Sequence, residues 1–140
     1  MLLLNRYTVY LYTALRVVFG LLIFLHGTQK WFNVPAAKEA GAHPPLIMIA
    51  GAIELVCGFL ILIGFLTRFA AFLTSGLYAV AYFLVHQPMG ALPIMNGGEL
   101  AVSYCFVCLY VASVGGGKVS VDELIATSVD ADAVPKFPDK

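Results

Sequence analysis

Residues 13–32, TALRVVFGLLIFLHGTQKWF, decide the fold, because they are apolar enough to lie in a lipid bilayer and yet carry Arg16, His26 and Lys30. A charged side chain near the middle of a bilayer costs several kcal/mol, on the order of 3 on insertion scales. Chains that keep such residues usually turn them inward, toward partners on other helices. We therefore expect further apolar helices that carry those partners.

The composition of the chain is that of an integral membrane protein in contact with the lipid bilayer. Of its 140 residues, 61% are hydrophobic and 11% are charged, whereas a soluble domain averages about 45–50% apolar and about 25% charged. Each span needs about 20 apolar residues, so the length accommodates four spans, short loops and a tail. The formal net charge is zero and there is no basic run, which gives no indication of a nucleic-acid partner.

The predicted fold is all-α, an antiparallel four-helix integral membrane bundle over residues 1–117, followed by a polar cytoplasmic tail over residues 118–140. Proline is tolerated in the first turn of a helix, so Pro44-Pro45 marks a helix start. The very short turn at Thr67-Arg68 forces the flanking helices into an antiparallel hairpin. The predicted helices cover, approximately, residues 7–32, 45–66, 69–87 and 97–114.

Four spans place both termini on the same side of the membrane. Basic residues are enriched on the cytoplasmic side of membrane proteins. The side with the termini holds more of them: Arg6, Arg68, Lys118, Lys136 and Lys140, against Lys30 and Lys38 on the other side. We therefore predict that both termini lie in the cytoplasm.

The second predicted helix carries a glutamate between two glycines. Gly51 and Gly58 are seven residues apart and lie on the same helix face as Glu54. Small residues in one stripe let another helix approach closely. Glu54 is therefore expected to face protein rather than lipid.

Polar residues on all four predicted helices converge in the outer half of the bundle, judged from a rise of about 1.5 Å per residue. We expect a polar pocket that opens toward the outer face, in which Glu54 and Glu99 balance Lys30 and the deeper Arg16. In this interpretation Glu54 and Glu99 relay protons, whereas the alternative is a set of ion pairs that only fix helix register. The candidate ligand-binding residues are Arg16, His26, Lys30, Tyr82, His86 and Asn96, of which Asn96 is also the predicted N-cap of the fourth helix.

The three cysteines, Cys57, Cys105 and Cys108, all lie in apolar runs, and their odd number excludes a secreted disulfide framework. Relative to Glu99, both Cys105 and Cys108 are rotated away from the polar face of the fourth helix. We predict that they are small packing residues, with a redox dithiol as the alternative. His26 and His86 are assigned to hydrogen bonding or proton relay rather than to haem or metal ligation, and no metal site is predicted.

Over roughly residues 10–123 the chain resembles the DoxX family, a group of small four-helix membrane proteins. The resemblance lies in Arg16 with Gly20, His26-Gly27-x-x-Lys30, Gly51-x-x-Glu54-x-x-x-Gly58, Gly64-x-x-Thr67-Arg68, Asn96-x-x-Glu99, and Ser120-Val121-Asp122 after a glycine run. It implies a four-helix fold in a bacterial inner membrane and a link to quinone-coupled sulfur oxidation, to resistance to quinones and catechols, or to membrane redox complexes. A distant branch of the family acts as an assembly chaperone for receptors.

The sequence thus leads to a hypothesis of a quinone-linked redox membrane protein, or a subunit of a membrane oxidoreductase complex, with quinone as its ligand. His26 and Lys30 would hydrogen-bond a quinone carbonyl, and the partner would be a membrane or peripheral redox protein. One alternative is a non-enzymatic scaffold or assembly subunit, and another is a small transporter. A homo-oligomer is compatible with each of these functions.

Overall fold

The structure is a computed structural model that describes residues 6–36 and 44–133. Within these ranges all regular structure is helical and no strand occurs. The basic residues Lys38, Lys136 and Lys140, on which part of the orientation prediction rests, lie outside the described residues. The observed elements are α1 (Thr8–Phe32), α2 (Pro45–Ile63), α3 (Thr67–Ala81), α4 (Pro93–Asn96), α5 (Glu99–Val114) and α6 (Val121–Ala133).

The boundaries of the helices follow from glycine and from local hydrogen bonding. α2 ends at Ile63 rather than near residue 66, because Gly64 adopts a left-handed conformation with φ of 74°. Its N–H and that of Phe65 then bond back to the carbonyl of Leu60, which is the usual glycine-terminated helix end. α3 continues beyond Ala81 through a π-helical turn at Tyr82–His86 and a 3₁₀ turn at Gln87–Met89.

Three helices of the described chain are long and apolar enough to cross a membrane: α1, α2, and α3 with its continuation to Met89. α5 is also apolar but has only 16 residues. At about 1.5 Å per residue it extends about 24 Å, which is less than the hydrocarbon core of about 30 Å. By length alone, therefore, three of the four predicted spans are found.

α1 and α2 pack with their backbones in contact. A Cβ placed on Gly20 would lie 2.6 Å from the backbone nitrogen of Leu62, and one placed on Gly58 would lie 2.5 Å from that of Phe24. Only glycine leaves enough space for such an approach. The close helix packing predicted from the glycines of the second helix is therefore confirmed at Gly58.

The other long helices meet in two buried clusters. α3 packs along α5, and α2 joins them through Cys57, Ile61, Ala70, Ala71 and Val111. A second cluster connects α1 with α3 and α5 and contains Ile23, Tyr78, Ala101, Tyr104 and Cys108. Outside these clusters most large apolar side chains are exposed; Phe69, Phe72, Phe83 and Phe106, for example, are each at least 65% accessible. A surface of this kind is suited to lipid acyl chains.

The start of α1, the α2–α3 turn and the α5–α6 connection meet at one end of the molecule, which we call the tail end. There the hydroxyl of Tyr12 donates a hydrogen bond to the carbonyl of Gly115, and the N–H of Asp122 donates to the carbonyl of Gly64 over 2.9 Å. The opposite end, which we call the loop end, contains the end of α1, the start of α2 and the connection from α3 to α5.

Candidate functional site

A charged cluster joins α1, α2 and α3 in the half of the molecule toward the loop end. The Nζ atom of Lys30 lies 2.5 Å from Oε2 of Glu54. The hydroxyl of Tyr78 donates a hydrogen bond of 3.1 Å to the other carboxylate oxygen, Oε1. The side chain of Glu54 is only 3% exposed. The carboxylate is thus removed from solvent and is held by a cation on one side and a phenol on the other.

A glycine makes this cluster geometrically feasible. Gly51 lies one helical turn before Glu54 on the same face of α2, and a Cβ placed on it would lie 2.9 Å from the Cβ of Lys30. The stem of Lys30 therefore passes over the bare backbone of Gly51 to reach the carboxylate. The motif Gly51-x-x-Glu54 provides both the anion and the path to it.

Aromatic rings extend the cluster from α3 to α5 and back to α1. The ring of Tyr104 lies 4.8 Å from that of Tyr78, at an angle of 41°. The imidazole of His26 packs against the ring of Tyr104 in a T-shaped arrangement, with the ring centroids 5.8 Å apart. Tyr78 and Tyr104 are both almost fully buried, at 7% and 3% exposure. The charged pair is thus bordered on this side by flat aromatic surfaces.

These side chains surround a cavity of about 240 Å³. All four long helices and the α3–α5 connection contribute to its wall, which combines ionisable and aromatic side chains with small residues and one leucine: His26, Lys30, Glu54, Tyr78, Ala81, His86, Gly97, Leu100, Ala101 and Tyr104. A concave site with a few convergent polar groups is the usual form of a small-molecule site.

The wall toward the loop end is held by Asn96. Its side-chain amide donates to the carbonyl of Gly90 over 2.8 Å, and its Oδ1 accepts the N–H of Gly98 at 2.8 Å. The amide also lies 3.4 Å from the hydroxyl of Tyr82, and the backbone carbonyl of Asn96 lies 3.2 Å from Nδ1 of His86. Asn96 therefore ends α4 and orders the connection, while Gly98 takes the N-cap position of α5.

The structure brings some of the predicted site residues together and separates others. His26, Lys30, Glu54 and His86 line the cavity. Tyr82 stands behind His86, with the two rings stacked at 6.4 Å. Glu99 is exposed in the first turn of α5 and is not among the residues of the cavity wall. The expected balance of two carboxylates against two bases is thus reduced to the single pair of Lys30 and Glu54.

Arg16 lies at the tail end, and the prediction that it balances Glu54 is wrong. Its Nη1 donates to the carbonyls of Ile61 and Leu62 at 2.5 and 2.8 Å, and its Nη2 donates to that of Val119 at 2.7 Å. The residue is 2% exposed. Carbonyls in the last turn of a helix lack N–H donors within that helix, and the guanidinium donates to them instead. Arg16 therefore joins the end of α2 to the segment before α6.

The remaining tail-end motifs also cap helix ends. Nη1 of Arg68 donates to the carbonyl of Ser113 at 2.6 Å, at the end of α5. The Asp122 carboxylate accepts the N–H groups of Leu66 and Thr67 at 2.8 and 3.0 Å, at the start of α3. Partial burial by itself raises the pKa of Asp122, but these hydrogen bonds and the charge of Arg16 outweigh burial and leave the pKa below its usual value. The carboxylate is therefore favoured in its charged form.

Two tyrosines of the site, Tyr78 and Tyr104, were missed by sequence reasoning, and Tyr104 was missed because the inward face of α5 was judged from Glu99. The buried residues of α5 recur at helical spacing: Ala101, Tyr104, Cys108 and Val111. This pattern, rather than the acidic residue, marks the face that looks into the molecule. Tyr78 shows a similar signal, since it is a polar residue one helical turn before Tyr82 in an otherwise apolar stretch.

The use of Glu99 as the reference for the polar face of α5 also gave a wrong orientation for Cys108. It was expected to point away from the polar face, but it is 2% exposed and packs in the cluster that contains Tyr78 and Tyr104. Cys105 is partly exposed, with its Sγ 3.6 Å from the hydroxyl of Ser75. Cys57, Cys105 and Cys108 are all free thiols. Within residues 6–36 and 44–133, no group of three or more His, Cys, Asp or Glu side chains could hold a metal ion.

Comparison with known proteins places the chain among uncharacterised relatives. The model of the DoxX family matches residues 11–87. An uncharacterized protein of Haemophilus influenzae is 38% identical over 125 residues, which cover 85% of this chain and 93% of that protein. A second uncharacterized protein of the same organism is 36% identical over 77 residues, which cover 55% of this chain and 51% of that protein. No solved structure matches the chain.

Proposed function

We propose that this chain, which belongs to the DoxX family and is a membrane protein, binds a quinone in the cavity beside Glu54 as the quinone-binding subunit of a membrane oxidoreductase. The observation that carries the proposal is the linked group of Lys30, Glu54 and Tyr78 in the wall of that cavity. A buried ionisable group within a membrane protein is by default a candidate functional site.

The donors of the cavity suit the polar atoms of a quinone. A lysine ammonium has three N–H donors, and only one of them is needed for Glu54. Lys30 and His26 can therefore present N–H groups to a carbonyl oxygen of the ring. Tyr78 and Tyr104 offer aromatic faces, against which a flat ring packs favourably.

Proton movement is the second role we assign to these residues. Reduction of a quinone to a quinol takes two electrons, which a redox partner protein of the complex would supply, and adds one proton to each of the two carbonyl oxygens. Glu54 is in hydrogen-bond contact with Lys30 and Tyr78, which makes it the natural group to hold and release that proton. Glu99 is exposed at the start of α5. Its proposed part in the relay is therefore to exchange protons between the cavity and its surroundings.

The size of the cavity favours a single ring. Its volume of about 240 Å³ is below the range of about 300–1,000 Å³ that is usual for drug-sized ligands. A quinone ring with small substituents fits such a volume, whereas its hydrocarbon tail does not. The tail must then remain outside the cavity, in the lipid.

We further propose that α5 is a fourth, short span of an antiparallel four-helix bundle in a bacterial inner membrane. The contacts at the tail end support this arrangement, because they join the start of α1 to the end of α5 and the α2–α3 turn to the start of α6. Arg6, Arg68 and Lys118 flank these elements, and basic residues favour the cytoplasmic side. Both termini are then cytoplasmic.

A scaffold or assembly subunit is the second candidate function, and α6 favours it. This helix has two acidic residues in its first turn, Asp122 and Glu123. It also exposes Leu124, Ile125 and Val129, which are 69%, 46% and 61% accessible. An exposed apolar stripe on a helix is a common docking surface for a partner protein. Another subunit of the complex, or a second copy of this chain, would cover it.

Trp31 provides a reporter for the quinone proposal, because it is the single tryptophan of the chain and follows Lys30 directly. Quinones quench tryptophan fluorescence, so binding in lipid nanodiscs can be followed by saturable quenching. We expect Glu54→Gln to abolish the saturable component and the quinone-dependent activity of the native membranes. Glu123→Gln, a change of an exposed carboxylate on α6, should leave both unchanged.

Two other results would distinguish the quinone-binding function from the scaffold function. Saturable quenching that is equal in wild type and Glu54→Gln would contradict the quinone site. A protein that shows no saturable quenching and purifies with a stoichiometric partner would instead support the scaffold. In that case the double substitution Leu124→Ser and Val129→Ser, which makes the apolar stripe of α6 polar, should release the partner.

A further inference from the structure

α1 and α5 border the cavity from both sides, yet their backbones stay apart. α1 packs on α2 through bare glycine backbone, and α5 packs along α3, but α1 and α5 make little direct backbone contact. Aromatic side chains span the gap between them instead. We call this gap the α1–α5 seam; it is bridged by the ring pairs Tyr12–Tyr110 at 6.0 Å, Phe19–Tyr104 at 5.6 Å and His26–Tyr104 at 5.8 Å.

The α1–α5 seam is loosely packed at both of its ends. The cavity beside Glu54 lies toward the loop end and includes His26 from α1 and Tyr104 from α5. A separate cavity of about 210 Å³ lies toward the tail end and is lined by Val9 and Tyr12 of α1 and by Tyr110 of α5. Protein interiors are otherwise packed about as densely as organic crystals. The seam is therefore the weakest lateral wall of the molecule.

The cavity beside Glu54 reaches the surface at this seam. Leu100 lines the cavity and is 53% exposed, and His26 lines it and is partly exposed. His26 lies six residues before the end of α1, which corresponds to a depth of about 9 Å. Its neighbours Leu22 and Leu25 are 41% and 37% exposed. At the depth of His26 and beside these side chains, the α1 side of the opening faces acyl chains.

The wall toward the loop end is more closely held. Gly97 and His86 form part of it, and Asn96 orders the connection through its bonds to Gly90 and Gly98. Asn96 is 6% exposed. At the loop end the cavity wall thus includes a hydrogen-bonded turn, whereas at the seam it consists of side chains alone.

We propose that the α1–α5 seam is a lateral opening, through which a ligand dissolved in the membrane enters the cavity sideways. The ligand class is an amphipathic molecule with a flat polar ring and an apolar tail; the ring lies beside Glu54 and the tail remains in the lipid between α1 and α5. For the identity of the ring this inference rests on the proposed quinone function. It adds the route, and it adds the requirement that the ligand be soluble in lipid.

The test compares two probes in nanodiscs that contain the full chain. One is a benzoquinone with a decyl tail, which partitions into lipid, and the other is a sulfonated benzoquinone, which stays in water. The signal is the saturable quenching of Trp31 that is lost in Glu54→Gln. We expect the decyl probe to give this signal and the sulfonated probe to give none.

Variants of Leu100 test the place of the opening. Leu100→Phe should slow association of the decyl probe by about tenfold, which is within the range over which association rates vary among variants of one site. Leu100→Ala should leave association as fast as in the wild type or faster. The control is Leu109→Phe, since Leu109 is 44% exposed on α5 but does not line the cavity. Thermal unfolding of each variant verifies that it is folded.

The outcomes separate the route from the site. Equal binding of the sulfonated and decyl probes, both dependent on Glu54, would overturn the lateral opening and leave the quinone site intact. The same holds if Leu100→Phe and Leu109→Phe associate at equal rates. If neither probe gives a signal that depends on Glu54, the proposed function fails and the lateral opening fails with it.

Discussion

The ammonium of Lys30 lies 2.5 Å from the carboxylate of Glu54, and the two side chains are unequally buried, at 26% and 3% exposure. The exposed part of Lys30 can regain water if its partner is removed, but Glu54 cannot. A buried charge without a partner is far more costly than a charge that reaches solvent. The pair is therefore asymmetric, and the two single substitutions should differ in their effect on stability.

Lys30→Met should destabilise the protein more than Glu54→Gln. It leaves the carboxylate of Glu54 buried with only Tyr78 as a partner, and breaking a buried pair costs about 3–5 kcal/mol. Glu54→Gln leaves a lysine that can extend toward the surface. The measurement is thermal or denaturant-induced unfolding in a single detergent. The double variant should recover part of the loss, and equal losses in the two single variants would contradict the asymmetry.

Arg16→Met should lower the free energy of unfolding without altering the chemistry of the cavity. The substitution removes the donor to the carbonyls of Leu62 and Val119 and one of the two donors to that of Ile61, which also accepts the N–H of Gly64. A hydrogen bond to a charged group contributes about 1.5–3 kcal/mol. Arg16→Lys should recover only part of the loss, because an ammonium lacks the planar fork of a guanidinium. A variant that is stable but has lost ligand binding would show that Arg16 belongs to the site after all.

Glycine-to-alanine substitutions should have opposite effects at two positions. At Gly58 the new Cβ would lie 2.5 Å from the backbone of Phe24, so α1 and α2 must separate, and overpacking of this kind costs about 1–3 kcal/mol. Nothing lies within 4 Å of a Cβ added to Gly76 in α3. There the change should be neutral or stabilising by up to about 1 kcal/mol, since alanine favours a helix. Unfolding curves of Gly58→Ala and Gly76→Ala, measured under the same conditions, test this contrast.

Asp122 should make stability sensitive to acid. Its pKa is lowered in the folded protein, so its contribution is present above the ordinary pKa of about 3.9 and is lost as the pH falls through the folded value. Asp122→Ala should cost about 1 kcal/mol at neutral pH, as expected for loss of a helix cap, and should flatten the acid limb of the stability curve. Glu123→Ala is the matched control, and an unchanged acid limb in Asp122→Ala would refute the assignment.

The parts of the structure that sequence reasoning anticipated are those that depend on a single helix. The faces of α1 and α2 follow from helical spacing, so the buried position of Glu54 and the close packing at Gly58 could be read directly. The family, too, follows from motifs of fixed spacing. The residues of α1 and α2 that line the cavity, His26, Lys30 and Glu54, belong to those motifs.

The predictions that failed were those that required knowledge of which helices are neighbours. Arg16 was paired with Glu54 by charge, but helix-end carbonyls are equally good partners for a guanidinium and lie closer. Glu99 was taken to face inward because it is charged, although as the first residue of α5 it can reach the membrane surface. Tyr104 was overlooked for the same reason. Charge indicates that a residue needs a partner, but the packing of the helices decides which partner it finds.

A redox dithiol in α5 is the alternative to a packing role for Cys105 and Cys108. Cys108 is 2% exposed among the rings of Tyr78 and Tyr104, whereas Cys105 is partly exposed. In folded protein a membrane-permeant maleimide should therefore modify Cys105 first and leave Cys57 and Cys108 unmodified until unfolding. Cys105→Ala should retain the saturable quenching of Trp31, because the thiol does not line the cavity. Rapid formation of a disulfide between Cys105 and Cys108 in the native protein, with loss of quenching in either alanine variant, would instead establish the dithiol. Burial of Cys108 opposes that outcome, since a thiol must reach both its partner and an oxidant to react.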